Sequence, residues 1–285
     1  MNYSYFPGCC HHTSAREYDL STRLVCKNLG INLTDVPDWS CCGSTAAHST
    51  SRLLALALSA RNLALAEETG LDVTAACAAC YQRLALARHE LSGDGDLMKK
   101  VNKITGKKYR GDIKVKSILD VVHESAGDQL ETMAVKPLKG LKVACYYGCL
   151  LVRPGEISAD DPENPRKMDI IMEKLGARTV EWGYKTECCG ASLAVSNEDI
   201  VIQLVEKIIR NAVLAGANSI VTACPLCHFN LDVRQFKINR NLGTGYRLPV
   251  FYFTQLMGVA LGLNFADIGV YSHFVNPTKL LRSIG

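Results

Sequence analysis

The stretch Tyr184-Lys185-Thr186-Glu187-Cys188-Cys189-Gly190-Ala191-Ser192 centres on a Cys-Cys-Gly triplet that occurs twice in this chain. The first copy lies in Pro37-Asp38-Trp39-Ser40-Cys41-Cys42-Gly43. Outward from each triplet, a Gly-Cys pair precedes it and a Cys-x-x-Cys pair follows it. These flanking pairs are Gly8-Cys9 with Cys77 and Cys80, and Gly148-Cys149 with Cys224 and Cys227. In both halves 34 residues separate the triplet's second cysteine from the Cys-x-x-Cys pair, so the sequence is an internal repeat.

Alternating apolar and helical segments predict an α/β fold. Short apolar runs, Tyr3 to Phe6 and Leu141 to Tyr147, precede the first cysteine of each half and are typical of buried strands. We expect two pseudo-symmetric repeats, each with a small, mostly parallel sheet flanked by helices. The predicted division is a first repeat at 1–92, a basic connecting segment at 93–140 and a second repeat at 141–285.

Glycine stops and apolar periodicity predict the remaining elements. Further strands are expected at 72–76, 178–182 and 219–223, and helices at 16–29, 44–69, 167–175 and 201–212, with a strand and a helix between 249 and 263. Parallel strands end at one edge of a sheet, where ligands bind in such folds. The cysteines follow strands or occupy turns, so we expect three distant groups in each half to converge there.

Composition excludes several protein classes. The 285 residues are 48% hydrophobic and carry a net charge of +4, which is typical of a soluble globular protein without a nucleic-acid footprint. The longest apolar run, Leu53 to Ala66, is interrupted by Arg61 and is too short to cross a membrane. The N-terminus lacks the pattern of a secretory signal, so we expect a cytoplasmic protein that is not itself in a membrane. Thirteen cysteines in a reducing compartment point to metal binding or catalysis rather than to disulfides.

Each repeat contributes five candidate metal ligands. They are Cys9, Cys41, Cys42, Cys77 and Cys80 in the first set, and Cys149, Cys188, Cys189, Cys224 and Cys227 in the second set. Five thiolates exceed the four that structural zinc takes, and adjacent cysteines reach two irons of one cluster more easily than one ion. An unusual multi-iron cluster is favoured, while structural zinc and disulfides stay open as alternatives.

Three further cysteines fall outside the repeat. Cys26 lies in a helical pattern and is expected to be a small buried side chain. Cys10 and Cys145 lie close to the motifs and are candidates for lining the site, with simple burial as the alternative.

The twin motif resembles the cysteine-rich CCG domain of the heterodisulfide reductase B subunit. The resemblance also covers Tyr5-Phe6-Pro7-Gly8-Cys9 and Cys145-Tyr146-Tyr147-Gly148-Cys149 and extends over nearly the whole chain. It implies that each set holds a non-cubane [4Fe-4S] cluster through its five cysteines. The implied reaction is reduction of the coenzyme M–coenzyme B heterodisulfide to two thiols, with one electron from each cluster. Cys10-His11-His12 follows the first ligand and Leu150 follows its counterpart, so the two cluster surroundings differ.

The resemblance also implies partners. These are the C subunit of heterodisulfide reductase, with ferredoxin-type [4Fe-4S] clusters, and its A subunit, with FAD and iron–sulfur clusters and the site of electron bifurcation. A hydrogenase or formate dehydrogenase lies further upstream. No Gly-x-Gly-x-x-Gly follows a strand, so neither flavin nor nicotinamide is expected in this chain. The alternatives are a related protein that reduces another disulfide or passes electrons to a quinone, a non-catalytic electron carrier, and a zinc-dependent interaction module.

Other candidate site residues lie beside the motifs. Candidate proton donors, or hydrogen-bond partners of a cluster or of backbone, are His11, His12 and His228. The implied substrate is anionic, which makes Arg153 and Lys185 candidates for binding it, with surface salt bridges as the alternative. Candidate contacts to its aliphatic chain are Tyr81, Tyr146 and Tyr147, with core packing as the alternative.

Overall fold

Two four-stranded parallel sheets form the centre of the chain. The computed structural model describes residues 1–127 and 129–284. The first sheet contains β1 (Asn2–Phe6), β2 (Asn32–Asp35), β3 (Val73–Ala75) and β4 (Val115–Ser117) in the order β2-β1-β3-β4. The second contains β5 (Lys142–Tyr146), β6 (Arg178–Thr179), β7 (Ser219–Thr222) and β8 (Val250–Tyr252) in the order β6-β5-β7-β8. The identical order confirms the predicted α/β class and the pseudo-symmetry, and the strand pairs of both sheets are parallel.

Strand register positions the cysteine motifs. Phe6 of β1 pairs with Ala75 of β3, and Tyr146 of β5 pairs with Thr222 of β7. The two central strands of each sheet therefore end at the same level. The chain then enters the Gly-Cys turn after the first strand and the Cys-x-x-Cys pair after the second, at one edge of the sheet.

Helices cover both sheets. Around the first sheet they are α1 (Gly8–His11), α2 (Arg16–Asn28), α3 (Ser44–Thr50), α4 (Arg52–Glu67), α5 (Ala78–Gly93), α6 (Gly95–Thr105) and α7 (Ile118–Ala126). Around the second sheet they are α8 (Gln129–Met133), α9 (Lys167–Lys174), α10 (Glu198–Leu214), α11 (Pro225–Val233), α12 (Gln235–Leu242), α13 (Phe253–Ala260) and α14 (Thr278–Arg282). Short 3-10 turns lie at Gly155–Ile157, Ala191–Leu193 and Val270–Ser272.

The helix predicted over 44–69 is two helices. Ser51 has extended backbone, and its hydroxyl accepts a hydrogen bond from the Leu54 amide at 3.4 Å. Serine at this position caps the first turn of a new helix, and this local hydrogen bond competes with continuation of the preceding one. The Ala- and Leu-rich composition predicts helix but carries no signal for this break.

The segment predicted as a connector, 93–140, contributes to the first sheet. Its β4 pairs with β3 as the fourth strand of that sheet. The Asn102 side chain donates to the Tyr109 carbonyl at 2.9 Å and accepts from the Tyr109 amide at 3.1 Å. In the second repeat the Asn239 side chain makes the same two hydrogen bonds to Tyr246, both at 2.8 Å. The division at 92 and 140 stays a prediction. Position 128 of the predicted connector and position 285 of the predicted second repeat lie outside the described residues.

Each repeat packs a helix onto the other. The Ser21 hydroxyl of α2 lies 2.7 Å from the Thr254 hydroxyl of α13, and the rings of Tyr18 and Tyr252 stack at 4.1 Å. Reciprocally, α7 packs on α9, where Lys167 forms an ion pair with Asp120. This exchange joins the two repeats through one continuous core and brings their cysteine-bearing edges together.

Candidate metal centre

Each cysteine set has a buried part and an exposed part. The last three cysteines of each set are buried, namely Cys42, Cys77, Cys80, Cys189, Cys224 and Cys227. Cys9, Cys41 and Cys188 are exposed, and Cys149 is half-buried. All thirteen cysteines lie within the described ranges, and none of them forms a disulfide. The sets therefore present free thiols at an edge that opens to solvent.

Helix N-termini point at the buried thiols. Cys77 is the N-cap residue of α5, and Cys224 is the N-cap residue of α11. Cys80 and Cys227 follow in the first turn of the same helices. The partial positive charge of a helix N-terminus stabilises thiolates, which are the form of cysteine that binds metals.

Two glycines leave room for sulfur atoms. Gly8 and Gly148 both have positive φ, at +69° and +67°. A Cβ atom on Gly8 would lie 2.8 Å from the Cys80 sulfur, and one on Gly148 would lie 3.1 Å from the Cys227 sulfur. The backbone conformation and the close approach both require glycine at these positions. Gly8 and Gly148, at equivalent positions of the two repeats, therefore leave the same space for a cysteine sulfur, and we call this space the sulfur cradle.

The thiols form hydrogen-bonded contacts within each set. The sulfur atoms of Cys42 and Cys80 are 3.4 Å apart, and those of Cys189 and Cys227 are 3.5 Å apart. Backbone amides also donate to the exposed thiols, from Gly43 to Cys41 at 3.5 Å and from Gly190 to Cys188 at 3.3 Å. Sulfur atoms this close, yet farther apart than the ~2.05 Å of a disulfide bond, are disposed to share a metal centre.

The two sets meet. The thiol of Cys77 in the first set is a direct neighbour of the Cys224 thiol in the second set, and each also neighbours the last cysteine of its own Cys-x-x-Cys pair. Thiol contacts consequently run from one set into the other without an intervening side chain.

Neighbouring thiols shift each other's pKa, so one thiol of a pair ionises more easily than the other. Interactions with the Cys41 and Cys80 thiols, with a smaller contribution from the Arg83 guanidinium, lower the pKa of Cys42 to about 3. A hydrogen bond from Cys149 lowers the pKa of Cys188 to about 6. Each set therefore already contains a thiolate near neutral pH, as metal binding requires.

A cavity of about 70 Å³ adjoins the second set. Apart from cysteines, it is lined by Ala78, Tyr147, Leu150, Ala191, Ser192 and Leu226. Ala78 comes from the first repeat and directly follows Cys77. The cavity is thus mostly apolar and reaches the junction of the two sets.

The donor sets suit an iron–sulfur cluster. The candidate ligands are all sulfur, five in each set, and soft thiolates select iron–sulfur clusters or zinc. Zinc closes with four ligands, whereas the present arrangement supplies a fifth and an adjacent pair. The glycine cradles at Gly8 and Gly148 keep the approach to the thiols free of side chains.

The three predicted histidines have different environments. His11 is buried, its Nδ1 lies 3.4 Å from the Tyr5 hydroxyl, and burial lowers its pKa to about 4. His228 is also buried, and burial lowers its pKa well below the usual value. His12 is exposed beside Trp39, with 5.4 Å between ring centroids. His12 alone of the three is open to solvent.

The two predicted basic residues also differ. Lys185 is 2% exposed, and its ammonium donates to Asp169 at 2.9 Å and to the Pro165 carbonyl at 3.1 Å. In this arrangement the ammonium is already bound within the protein and does not face the cavity. Arg153 is exposed, and its guanidinium lies 3.3 Å from both the Glu163 carboxylate and the Thr186 hydroxyl.

Of the three predicted tyrosines, Tyr147 lines the cavity. Its hydroxyl donates to Asp169 at 2.7 Å. Tyr146 donates to the Glu187 carbonyl at 2.6 Å, and Tyr81 donates to the Ile157 carbonyl. Tyr81 and Tyr146 are buried and do not line the cavity, so core packing describes both.

The three cysteines outside the two sets have different environments. Cys26 and Cys145 are fully buried, and burial raises the pKa of Cys26 to about 12. Cys10 is half-buried and hydrogen-bonds to Cys9, which lowers the pKa of Cys9 to about 6. Cys10 therefore adjoins the first set, whereas Cys145 lies in β5 and does not line the cavity.

Sequence reasoning missed two features near the thiols. Arg83 is half-buried and lies three residues after Cys80. Its positive charge is close enough to Cys42 to favour the Cys42 thiolate. The short spacing between Arg83 and the Cys-x-x-Cys pair is the signal in the sequence that could have identified this residue. Tyr18 is fully buried, and its hydroxyl has no hydrogen-bond partner among the described residues. Tyr18 comes near Cys77 and Cys224 only through the packing of α2 on α13, which the sequence pattern does not reveal.

No helix within 1–127 and 129–284 is long and apolar enough to cross a membrane.

A solved structure of a hypothetical protein from Helicobacter pylori superposes with a TM-score of 0.80 at 16% identity, over 96% of this chain and 52% of that chain. The chain thus spans about half of that protein, and the likeness shows the fold alone.

Several relatives match over nearly their whole length. The 8-methylmenaquinol:fumarate reductase membrane anchor subunit of Wolinella succinogenes is 33% identical, over 98% of each chain. The B subunit of the ferredoxin/F420H2-dependent CoB-CoM heterodisulfide reductase of Methanosarcina acetivorans is 32% identical, over 99% of this chain and 96% of the relative. A protein of Archaeoglobus profundus, named as similar to the heterodisulfide reductase B subunit, is 30% identical over 93% of this chain and 92% of the relative.

The family of the cysteine-rich CCG domain matches the chain twice, at residues 3–85 and 143–232. Each match contains one of the two triplets together with the whole cysteine set of its repeat. The chain therefore belongs to the cysteine-rich CCG-domain family, within the twin-repeat group that includes the heterodisulfide reductase B subunit.

Proposed function

We propose that this chain is the iron–sulfur protein that reduces a small-molecule disulfide, the coenzyme M–coenzyme B heterodisulfide, to two thiols. The observation that carries the proposal is the contact between Cys77 and Cys224, because it joins two sulfur-rich sites at one point. The relatives named as B subunits of heterodisulfide reductase, at 32% identity, support the choice of substrate.

Two non-cubane [4Fe-4S] clusters, one in each set of five cysteines, are the proposed cofactors. When bound, such clusters supply electrons singly, so two of them match the two electrons that cleavage of one S–S bond requires. The reaction consumes one disulfide, two electrons and two protons and yields two thiols. The chain's part is to hold both sites next to one disulfide.

The described residues indicate how the chain would do this. We assign substrate entry to the edge that carries Cys9, Cys41 and Cys188, because these three thiols are exposed. Leu150 and Leu226 give the cavity apolar walls that suit an aliphatic chain. As the contact to an anionic end of the substrate we assign Arg153, because it is exposed four residues after Cys149 and its guanidinium makes long contacts, at 3.3 Å, to Glu163 and Thr186.

Proton delivery is assigned to His12. Two protons must reach the product sulfurs, and a donor has to exchange with solvent between turnovers. His11 and His228 are buried and held neutral by desolvation, whereas His12 is exposed three residues after Cys9. Partners equivalent to the C and A subunits of heterodisulfide reductase are proposed as the electron source.

A second candidate function is electron transfer with a quinone. The relative from Wolinella succinogenes, named for a menaquinol:fumarate reductase, is 33% identical over almost the whole of both chains. The cavity beside the second set has mostly apolar walls, which suit the surface of a quinone as well as an aliphatic chain.

An anaerobic assay separates the two candidates. The reconstituted protein is supplied with reduced viologen and either the heterodisulfide or a menaquinone analogue, and viologen oxidation is followed. We expect thiol formation from the heterodisulfide, retained by Cys26→Ala and lost in Cys189→Ala. Oxidation by the menaquinone analogue alone would replace the proposal with the quinone function.

A further inference from the structure

A cluster of metal-ligating side chains lies next to the second cysteine set but contains no cysteine. His228 and Asp232 lie one turn apart on α11, and His273 follows the 3-10 turn at Val270–Ser272. Their ligand atoms all lie within 4.8 Å of one another. The relative exposures are 6%, 1% and 9%, so the cluster is enclosed in the core.

The two imidazoles have the spacing of ligands on one metal ion. His228 Nε2 and His273 Nδ1 are 3.3 Å apart. Two nitrogens bound to one tetrahedral zinc at about 2.05 Å would lie about 3.3 Å apart. Imidazole and carboxylate together are a donor set that suits zinc and other divalent transition metals.

The tautomer of His273 leaves Nδ1 free to bind. Gln255 Oε1 accepts from the Tyr252 amide at 3.1 Å, so it acts as an acceptor toward His273 Nε2 at 3.0 Å as well. The proton of His273 is therefore on Nε2, and the lone pair of Nδ1 faces His228. A ligating histidine commonly donates its other ring N–H in this manner.

Asp232 is a buried carboxylate that lacks an ion-pair partner among residues 1–127 and 129–284. Its oxygens accept the amides of Phe274 at 2.7 Å and Val275 at 3.0 Å, which orient the carboxylate and join α11 to the C-terminal segment. A buried anion without a cation is costly, and a bound cation would offset that cost.

The repeat fold does not require these residues. The positions equivalent to His228 and Asp232 in the first repeat, counted from the Cys-x-x-Cys pair, are Tyr81 and Ala85. The donors therefore occur in the second repeat only, although both repeats build the same sheet and helix.

We propose that His228, Asp232 and His273 form a binding site for one divalent transition-metal ion, separate from the two cysteine sets. His228 Nε2 donates to the Val250 carbonyl at 2.9 Å. Metal binding moves that proton to Nδ1 and frees Nε2 as a ligand, so no proton is lost from His228. The ion would tie α11, which carries Cys227, to the C-terminal segment at 273–275.

Zinc is the probe, and the test is metal counting on the full chain. The anaerobically prepared protein is treated with a chelator, incubated with zinc, desalted and analysed for zinc and iron together. We expect about one zinc per chain in the parent protein. Asp232→Asn and His273→Gln should each lower zinc binding at least tenfold. Asp267→Asn and His89→Gln, which change residues of the same types outside the cluster, should retain it.

Zinc X-ray absorption distinguishes this site from the cysteines. The proposal predicts nitrogen and oxygen neighbours at about 2.0–2.1 Å, without sulfur at about 2.3 Å. Absence of bound zinc in the parent, sulfur neighbours around it, or full retention in the Asp232→Asn, His273→Gln double variant would overturn the proposal. Iron counted in the same samples reports separately on the cysteine sets and hence on the proposed function.

Discussion

Cys77 and Cys224, one from each repeat, are the N-cap residues of two helices, and their thiols are direct neighbours. The contact makes the two cysteine sets one continuous sulfur-lined region. The N-terminus of α5 lies on one side of this contact and that of α11 on the other, so both helices favour negative charge at the same place.

This contact predicts that a change in the first set alters the second. Cys77→Ala removes a direct neighbour of Cys224, whereas Cys41→Ala removes a candidate ligand whose thiol contacts stay within the first set. We expect Cys77→Ala to shift the redox midpoint of the second site more than Cys41→Ala does, because it also removes a thiol that lies next to a second-set thiol. Redox titration followed by electron paramagnetic resonance measures the shift. Equal midpoints in the two variants would show that the sites act independently.

Gly8 provides a test of the sulfur cradle. Gly8→Ala combines a left-handed backbone, which costs roughly 1–3 kcal/mol for a non-glycine residue, with overlap against the Cys80 sulfur. Gly30→Ala is the matched control, since Gly30 has φ of +70° and open space around the added Cβ. Anaerobic urea unfolding should show a larger loss of stability for Gly8→Ala, together with loss of bound iron. Normal iron content in Gly8→Ala would refute the cradle.

The buried thiol of Cys26 predicts a dependence of stability on pH. Burial raises its pKa from 9.0 to about 12, so the folded state holds the proton more tightly than the unfolded state. This contribution is complete below pH 9 and is lost as the pH rises toward 12, at about 1.4 kcal/mol per pH unit. The pH dependence of unfolding between about 9 and 11 should therefore be shallower in Cys26→Ala than in the parent. Parallel curves would contradict the assignment.

The sequence makes Lys185 a candidate substrate contact. Its burial instead predicts that Lys185 stabilises the folded protein. The pair with Asp169 has both side chains almost wholly enclosed, at 3% and 1% exposure. Removing one partner of such a pair leaves an uncompensated charge and costs about 3–5 kcal/mol. Lys185→Met should lower the unfolding midpoint markedly, and Asp169→Asn should do the same. A stable Lys185→Met variant with weakened substrate binding would instead favour the role in binding substrate.

Much of the site is predictable because its geometry follows from local rules. Strands that run parallel end at one edge, so Cys9 after β1 and Cys77 after β3 have to approach each other. The repeat then predicts the same arrangement for the second half. Gly8 is also recognisable as a turn residue, although its proximity to the Cys80 sulfur is not.

Other features depend on contacts that no local pattern encodes. β4 has three residues in a lysine-rich segment, and its strand pairing is decided by tertiary packing. The pairing of Lys185 with Asp169, and the enclosure of His228 with His273, arise from elements distant in sequence. The junction of the two sets likewise depends on how α2 packs on α13.

Iron counting in set-specific variants tests the central claim most directly. Two adjacent clusters predict about eight iron atoms per anaerobically reconstituted chain, about four for each cluster of the [4Fe-4S] type. Cys42→Ala and Cys189→Ala should each retain about half, and the double variant almost none. A parent protein that binds little iron, or single variants that keep the full amount, would contradict the account.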